Sequence, residues 1–248
     1  MKTTFRISVM ILVAAFYGCQ KSDVSMGVSS SINSDGAFSG TIVNDSNRID
    51  FIKAYNCIVD NQNVIKDSII LGKSAVSSSG KFSVVLTKPI LSKIGTSPSG
   101  VVVSDTAAMI GYMDGFFAYK GGINTGTVTK GYYNLIDSTK AEFSDSEFLY
   151  SDRAFTIIGT ETYVSSYNGI TYNYTSNNNI IFKKGWNEIT YIESYSKTPT
   201  TSTTVETNSN TVTSFMQWRY IPNSAPISTI NAKTRGVHSI AKPRFLFR

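Results

Sequence analysis

The dipeptide Asn168–Gly169 constrains this chain more than any other pair of residues in it. Both residues tolerate a positive φ, so they favour a two-residue hairpin turn between alternating flanks. Such a turn fixes the register. Tyr167 faces Ile170, Ser165 faces Tyr172 and Tyr163 faces Tyr174. One face of the hairpin then carries Tyr163, Tyr167, Ile170, Tyr172 and Tyr174. The other carries Val164, Ser166, Thr171, Asn173 and Thr175. Rings on a strand face have two uses: they fill a core, or they form a platform on which sugar rings stack. Phe155 and Ile157 share the parity of Tyr163, which favours a buried face. Four tyrosines with few aliphatic neighbours favour the platform, because each buried hydroxyl needs a partner. Tyr167 and Tyr172 lie nearest the turn and are expected to stand clear of the body.

The rest of the chain also reads as strands. Lys81–Leu86 puts Phe82, Val84 and Leu86 on one face after the turn cluster Ser77–Gly80, a period of two. Phe51–Val59, Val64–Val76, Ile189–Tyr195 and Thr211–Ile221 are further strands. Gly185 turns the chain. Beyond it Trp186, Thr190 and Ile192 share a face with Glu188, so that face is not expected to be wholly dry. Ser196–Asn210 is almost all Thr, Ser and Asn and is expected to be a long polar loop. Ser92–Gly100 holds Gly95, Pro98 and Gly100 and is the best boundary between two units. Gly111, Gly115, Gly121 and Gly122 lack the spacing of a phosphate loop and are assigned to turns and bulges. After the first twenty residues there is no 3.6-residue amphipathic period of helical length. The expected fold is all-β, with one or two packed units of the β-sandwich or jelly-roll kind. Residues 37–97 are the expected first unit and 98–222 the expected second, with the loop at 196–210. Residues 223–248 are expected to form a basic, flexible tail.

Composition removes most catalytic chemistry. The chain has 248 residues, one His and two Cys. His238 lies among Arg235, Lys242 and Arg244, a segment unsuited to holding an imidazole in a Ser-His-Asp triad. A zinc site needs more His and Cys than are present. Asp145 and Glu147 fall on one face of a strand with Asp152 just beyond. Residues two apart on a strand lie ~7 Å apart, within the span that glycosidases use. The commoner role for such acids is a solvated face. A calcium site would need six to eight oxygens, more than Ser144–Glu147 supplies. The formal charge is +6. From Cys19 to Ala232 there are 16 basic against 17 acidic residues, so once Lys2 and Arg6 leave with the expected signal peptide the excess sits in the tail. No nucleic-acid partner, cofactor or metal is expected.

Lys2 and Arg6 precede the apolar run Ile7–Phe16, which has the length of a signal-peptide core and is too short to span a bilayer. Phe16-Tyr17-Gly18-Cys19 resembles the bacterial lipobox. The resemblance implies a lipoprotein signal peptide over residues 1–18, cleaved before Cys19, with palmitate-type acyl chains on that residue. Gln20-Lys21-Ser22-Asp23 resembles the export signal of Bacteroidota lipoproteins. That implies an outer-membrane location facing outside, with Gln20, Lys21 and Asp23 read by the export machinery and residues 19–36 as a lipidated flexible tether. Ser-Ser-Gly-Lys-Phe-Ser at 78–83 and Lys-Lys-Gly-Trp-Asn at 183–187 resemble elements of β-sandwich lipoproteins from the same phylum. Asp67-Ser68-Ile69, Asp105-Thr106-Ala107 and Asp137-Ser138-Thr139 resemble its O-glycosylation sequence. With Cys19 lipidated, Cys57 has no disulfide partner and reads as a small buried hydrophobe.

The leading expectation is a non-catalytic protein, held to the outer membrane by its lipid, whose β body binds or scaffolds a polysaccharide or a surface protein. The alternatives are a glycan hydrolase using Asp145, Glu147 or Asp152, and an adhesion or filament subunit. The anchor is directly testable. The mature protein should take up labelled fatty acid and partition into detergent, and Cys19→Ala should abolish both. A Cys19→Ala protein that behaves as wild type in both assays would overturn the lipid assignment.

Overall fold

The computed structural model describes residues 32–44, 46–59, 65–213 and 215–223. The expectations placed on residues 1–18, Cys19, Gln20, Lys21, Asp23 and His238, and on the tail beyond 223, lie outside these residues. The described chain is all-β, with one 3-10 turn at Ser46–Arg48 and no α-helix among the described residues. In chain order the strands are β1 (Ala37–Thr41), β2 (Phe51–Val59), β3 (Ile65–Ala75), β4 (Lys81–Val85) and β5 (Ser92–Lys93). Then follow β6 (Val101–Val103), β7 (Met109–Tyr112), β8 (Gly115–Lys120), β9 (Ile123–Asp137) and β10 (Lys140–Ser151). The last five are β11 (Phe155–Tyr167), β12 (Ile170–Phe182), β13 (Gly185–Lys197), β14 (Thr201–Ser209) and β15 (Gln217–Pro222).

β1 and β4 form a two-stranded sheet. The other strands form one large sheet with the path β3-β2-β8-β9-β10-β13-β14-β12-β11-β6. Off this path β15 pairs with β9, and β7 pairs with β10 and β5. β2 belongs to the expected first unit and β8 to the second, yet they pair along Phe51–Tyr55. The division expected at 97/98 therefore does not separate two sheets. Long β9 lies between β8 and β15 with its first half and against β10 with its second.

The small sheet is docked at both edges. Ile42 bridges to Trp218 on one side. On the other, Ser83 N donates to Ser74 Oγ (3.0 Å) and Thr87 N to Leu71 O (2.7 Å). A core of Phe38, Ile52, Phe82, Phe116, Phe148 and Trp218 fills the enclosed space. Phe38 and Phe148 stack at 5.1 Å between centroids, and Phe148 and Trp218 at 5.8 Å. A second core lies on the opposite face of β10 and β13. It contains Ile110, Leu149, Phe155, Ile157, Ile180 and Phe182. Neighbours such as Phe148 and Leu149 serve different cores, so β10 and β13 are buried on both faces over this stretch. The end of the expected tether is part of the body: Trp186 N donates to Ser34 O and Leu86 N to Gly36 O, both at 3.0 Å.

The polar loop expected over 196–210 is replaced by a strand. β14 runs antiparallel to β13 and parallel to β12, filling a gap one strand wide between them. Thr201, Thr203, Thr204, Val205 and Thr207 are β-branched, which suits a pleated strand whatever their polarity. Its buried residues are polar: Ser202, Glu206 and Asn208. Glu206 and Asn208 are bonded within the sheet, although Asn208 Oδ1 is buried without a hydrogen bond. Asn208 Nδ2 donates to Glu206 Oε1 (2.8 Å), Ser176 Oγ (3.0 Å) and Asn178 Oδ1 (3.1 Å), and Ser176 Oγ donates to Glu206 Oε1 (3.1 Å).

Candidate functional site

The hairpin has the register its turn dictates. Asn168 and Gly169 sit at φ 49° and 75°, and Tyr167 pairs with Ile170, Ser165 with Tyr172 and Tyr163 with Tyr174. Its surroundings differ from those its parity suggests. The turns of β9–β10, β11–β12 and β13–β14 all lie at one end of the sheet. There the sheet runs past both cores as a single layer. Tyr163 and its sequence neighbour Val164 point to opposite faces and are 49% and 65% exposed. Ile157, with the parity of Tyr163, is fully buried. The alternation is continuous, but the layer that covers Ile157 does not extend to the tyrosines. The buried-face expectation is thus corrected for the outer half of β11.

Cross-strand pairing shows which further side chains share the tyrosine face. Tyr174 pairs with Thr204, Thr204 with Tyr195 and Tyr195 with Ala141. One step inward, Glu193 pairs with Phe143 and Phe143 with Tyr133. The face therefore carries Tyr163 and Tyr167 of β11, Tyr172 and Tyr174 of β12, Tyr195 of β13, Phe143 of β10 and Tyr133 of β9. Six strands at ~4.8 Å spacing make it roughly 24 Å wide. Tyr167 is exposed, and Tyr172, Tyr174, Tyr195 and Phe143 are half-buried among neighbouring side chains. Thr204 and Glu193 supply half-buried polar groups between the rings, whereas Ser202 and the Ser165 hydroxyl are buried there. The opposite face carries Val164, Ser166, Thr171, Asn173 and Thr175 and has no aromatic ring in this hairpin. Tyr133, Phe143 and Tyr195 escape a reading of the sequence because the order of strands depends on β14.

The carboxylates separate into two places. Asp152 lies at the end of β10, where it accepts from Met109 N (2.9 Å) and pairs with Arg153 (3.0 Å). Those bonds hold its carboxyl below the usual range. Asp145 and Glu147 share a face of β10, near the point where β9 parts from it. Burial raises Asp145 to about 7, partly offset by a hydrogen bond from Ser146 N. Burial, followed by the charges of Asp114, Cys57 and Glu147, raises Tyr112 to about 12. Asp114, Lys130, Asp145 and Glu147 line a cavity of about 40 Å³. That holds a few waters but no sugar ring. Among the described residues no group of three or more His, Cys, Asp or Glu is placed to hold a metal ion. Cys57 is buried, beside Asp114, which accepts from its backbone N–H.

Glu188 is not on a wet face. Its Oε1 accepts from Lys130 Nζ at 2.6 Å and Ser146 Oγ at 2.7 Å, with the Lys130 and Glu188 side chains 2% and 5% exposed. The acid in β13 is tolerated in the dry face because a lysine in β9 reaches it. Removing either partner alone would strand a buried charge. No protein-family model, no curated protein and no solved structure matches this chain.

The raised Asp145 has a pH consequence. The ordinary value is 3.8, so between about pH 4 and 7 the folded protein keeps a proton that the unfolded chain releases. Stability from this group is therefore fully present below pH 4 and falls as pH rises to about 7. Asp145→Asn should melt close to wild type at pH 4 and at a higher temperature than wild type at pH 8. Parallel melting profiles across that range would contradict the burial of this carboxyl.

Proposed function

We propose that this chain is a lipid-anchored protein of the outer-membrane surface with a non-catalytic β body, and that it binds an extracellular polysaccharide on the tyrosine face of its projecting sheet. The observation that carries this reading is the position of Tyr163, Tyr167, Tyr172 and Tyr174. They share one solvent-accessible face of a sheet that, among the described residues, has no second layer over it. A tyrosine ring presents a flat apolar face to the C–H face of a sugar and carries a polar hydroxyl at its tip. Rings spread over several strands favour an extended chain over a small molecule, whose usual site is a concave pocket. The Thr204 hydroxyl and the Glu193 carboxylate, between the rings, are of the kind that hydrogen-bonds a polysaccharide. The outer-surface location follows from the resemblance of Phe16–Asp23 to a lipoprotein export signal, and it is where such a ligand would be met.

The test is a single ring. Soluble polysaccharides such as xylan, mannan and β-glucan are titrated into the purified protein and into Tyr172→Ala. The expected result is binding of at least one of them, weakened about tenfold, or about 1.4 kcal/mol, in the variant. The melting temperature should stay within a few degrees of wild type, as for other surface substitutions. A loss of about 3 kcal/mol or more in stability would place the ring in a core and overturn the platform. So would unchanged binding.

A further inference from the structure

The outer edge of β11 is an open strand. β6 pairs with it only at Ile157, Ile158 and Gly159. At the last pair Gly159, at φ 133°, lies directly against Gly100, where a Cβ on Gly159 would sit 2.0 Å from Gly100 O. The last bond is Thr160 N to Gly100 O at 3.0 Å. Odd-numbered residues of β11, from Tyr167 inward, exchange hydrogen bonds with β12, as the closing pair Tyr167–Ile170 of a two-residue turn requires. Thr162, Val164 and Ser166 therefore direct their N–H and C=O groups outward. Among the described residues no strand pairs with them.

Edges of this kind are usually blunted by lysine, proline or a bulge. Thr160–Tyr167 has no lysine, no proline and one charge, Glu161. It is rich in β-branched and aromatic residues, the composition that pairs most readily. The opposite end of the sheet differs: β3 contains Lys66, Asp67 and Lys73.

We propose that the edge of β11 pairs antiparallel with the same edge of a second copy of this chain, about a two-fold axis at Val164. The sequence is self-complementary in that register. Val164 meets Val164 of the second copy, and Thr162 meets Ser166. On the tyrosine face, Tyr163 meets Ser165 and Glu161 meets Tyr167. No like charges oppose each other, and the central pair is apolar. About six main-chain hydrogen bonds form across the axis. The two tyrosine faces then become one continuous surface. Edge pairing buries less than the roughly 800 Å² per partner of a standard interface, so it depends on concentration. Confinement to a membrane surface raises that concentration. The pairing does not depend on what the tyrosine face binds.

Cysteine crosslinking of the full chain in intact cells tests it. Val164→Cys, mildly oxidised, should give a covalent dimer on a non-reducing gel at about ten times the yield of Asn173→Cys. Asn173 lies on the same face but one strand inward, out of reach of its symmetry mate. Adding Thr162→Pro to Val164→Cys should abolish the dimer. That proline removes an outward donor and leaves the β11–β12 ladder whole, which an unchanged melting temperature would verify. No dimer from Val164→Cys overturns the proposal. So does equal dimer from Asn173→Cys, or a dimer that survives a folded Thr162→Pro.

Discussion

The hydrogen-bond ladders on both sides of Thr201–Ser209 hold this structure together as one sheet. β12 and β13 follow each other in the chain but lie two strand widths apart, and β14 returns into the gap. Without it the β11–β12 hairpin would be joined to β13 only through the second core and the short connection at Lys183–Lys184. Its buried side chains do not replace that core. Glu206 and Asn208 are held by hydrogen bonds to Ser176 and Asn178 of the neighbouring strand. A buried polar network of this kind favours these strands lying side by side, because another alignment would break the bonds of the Glu206 carboxylate and the Asn208 amide group.

That arrangement also positions the candidate site. Once β14 is in place, three hairpins run beyond both cores as one layer. The strands that contribute to the second core are short: β6 pairs with β11 only as far as Gly159, and β7 meets β10 only along Leu149–Ser151. In that layer both faces of the β11–β12 hairpin are accessible. Here the faces differ, with rings on one side and mainly small, polar or β-branched side chains on the other. Such an asymmetry has no role in a core, and it accounts for a composition rich in tyrosine and poor in aliphatic residues at Tyr163–Tyr174.

The local features of the fold were legible in the sequence. Asn168–Gly169 specifies its turn and register because few dipeptides tolerate two successive positive φ angles. Phe82 and Val84, and Trp218 and Tyr220, show their buried faces by simple alternation. The unread part is the segment whose polarity conceals its role. A run of Thr, Ser and Asn signals a loop when buried strands are assumed to be apolar, and only the complementary Ser176, Asn178 and Glu206 reverse that reading. Glu188 was misleading for the same reason, since its partner Lys130 is 58 residues away. Parity predicted the face of the tyrosines but not their burial, because alternation says which side a residue is on and not how far the opposing layer extends. The aromatic neighbours Tyr133, Phe143 and Tyr195 required the strand order, which is a long-range property.

Amide hydrogen exchange of Ser202–Asn208 tests most directly whether this polar segment is the strand that joins the sheet. These N–H groups should be protected to the same degree as those of Ser146–Leu149 in β10, opening only with global unfolding. Exchange at the rate of an exposed turn, such as Ser78–Ser79, would contradict both the strand and the placement of the tyrosine hairpin that depends on it.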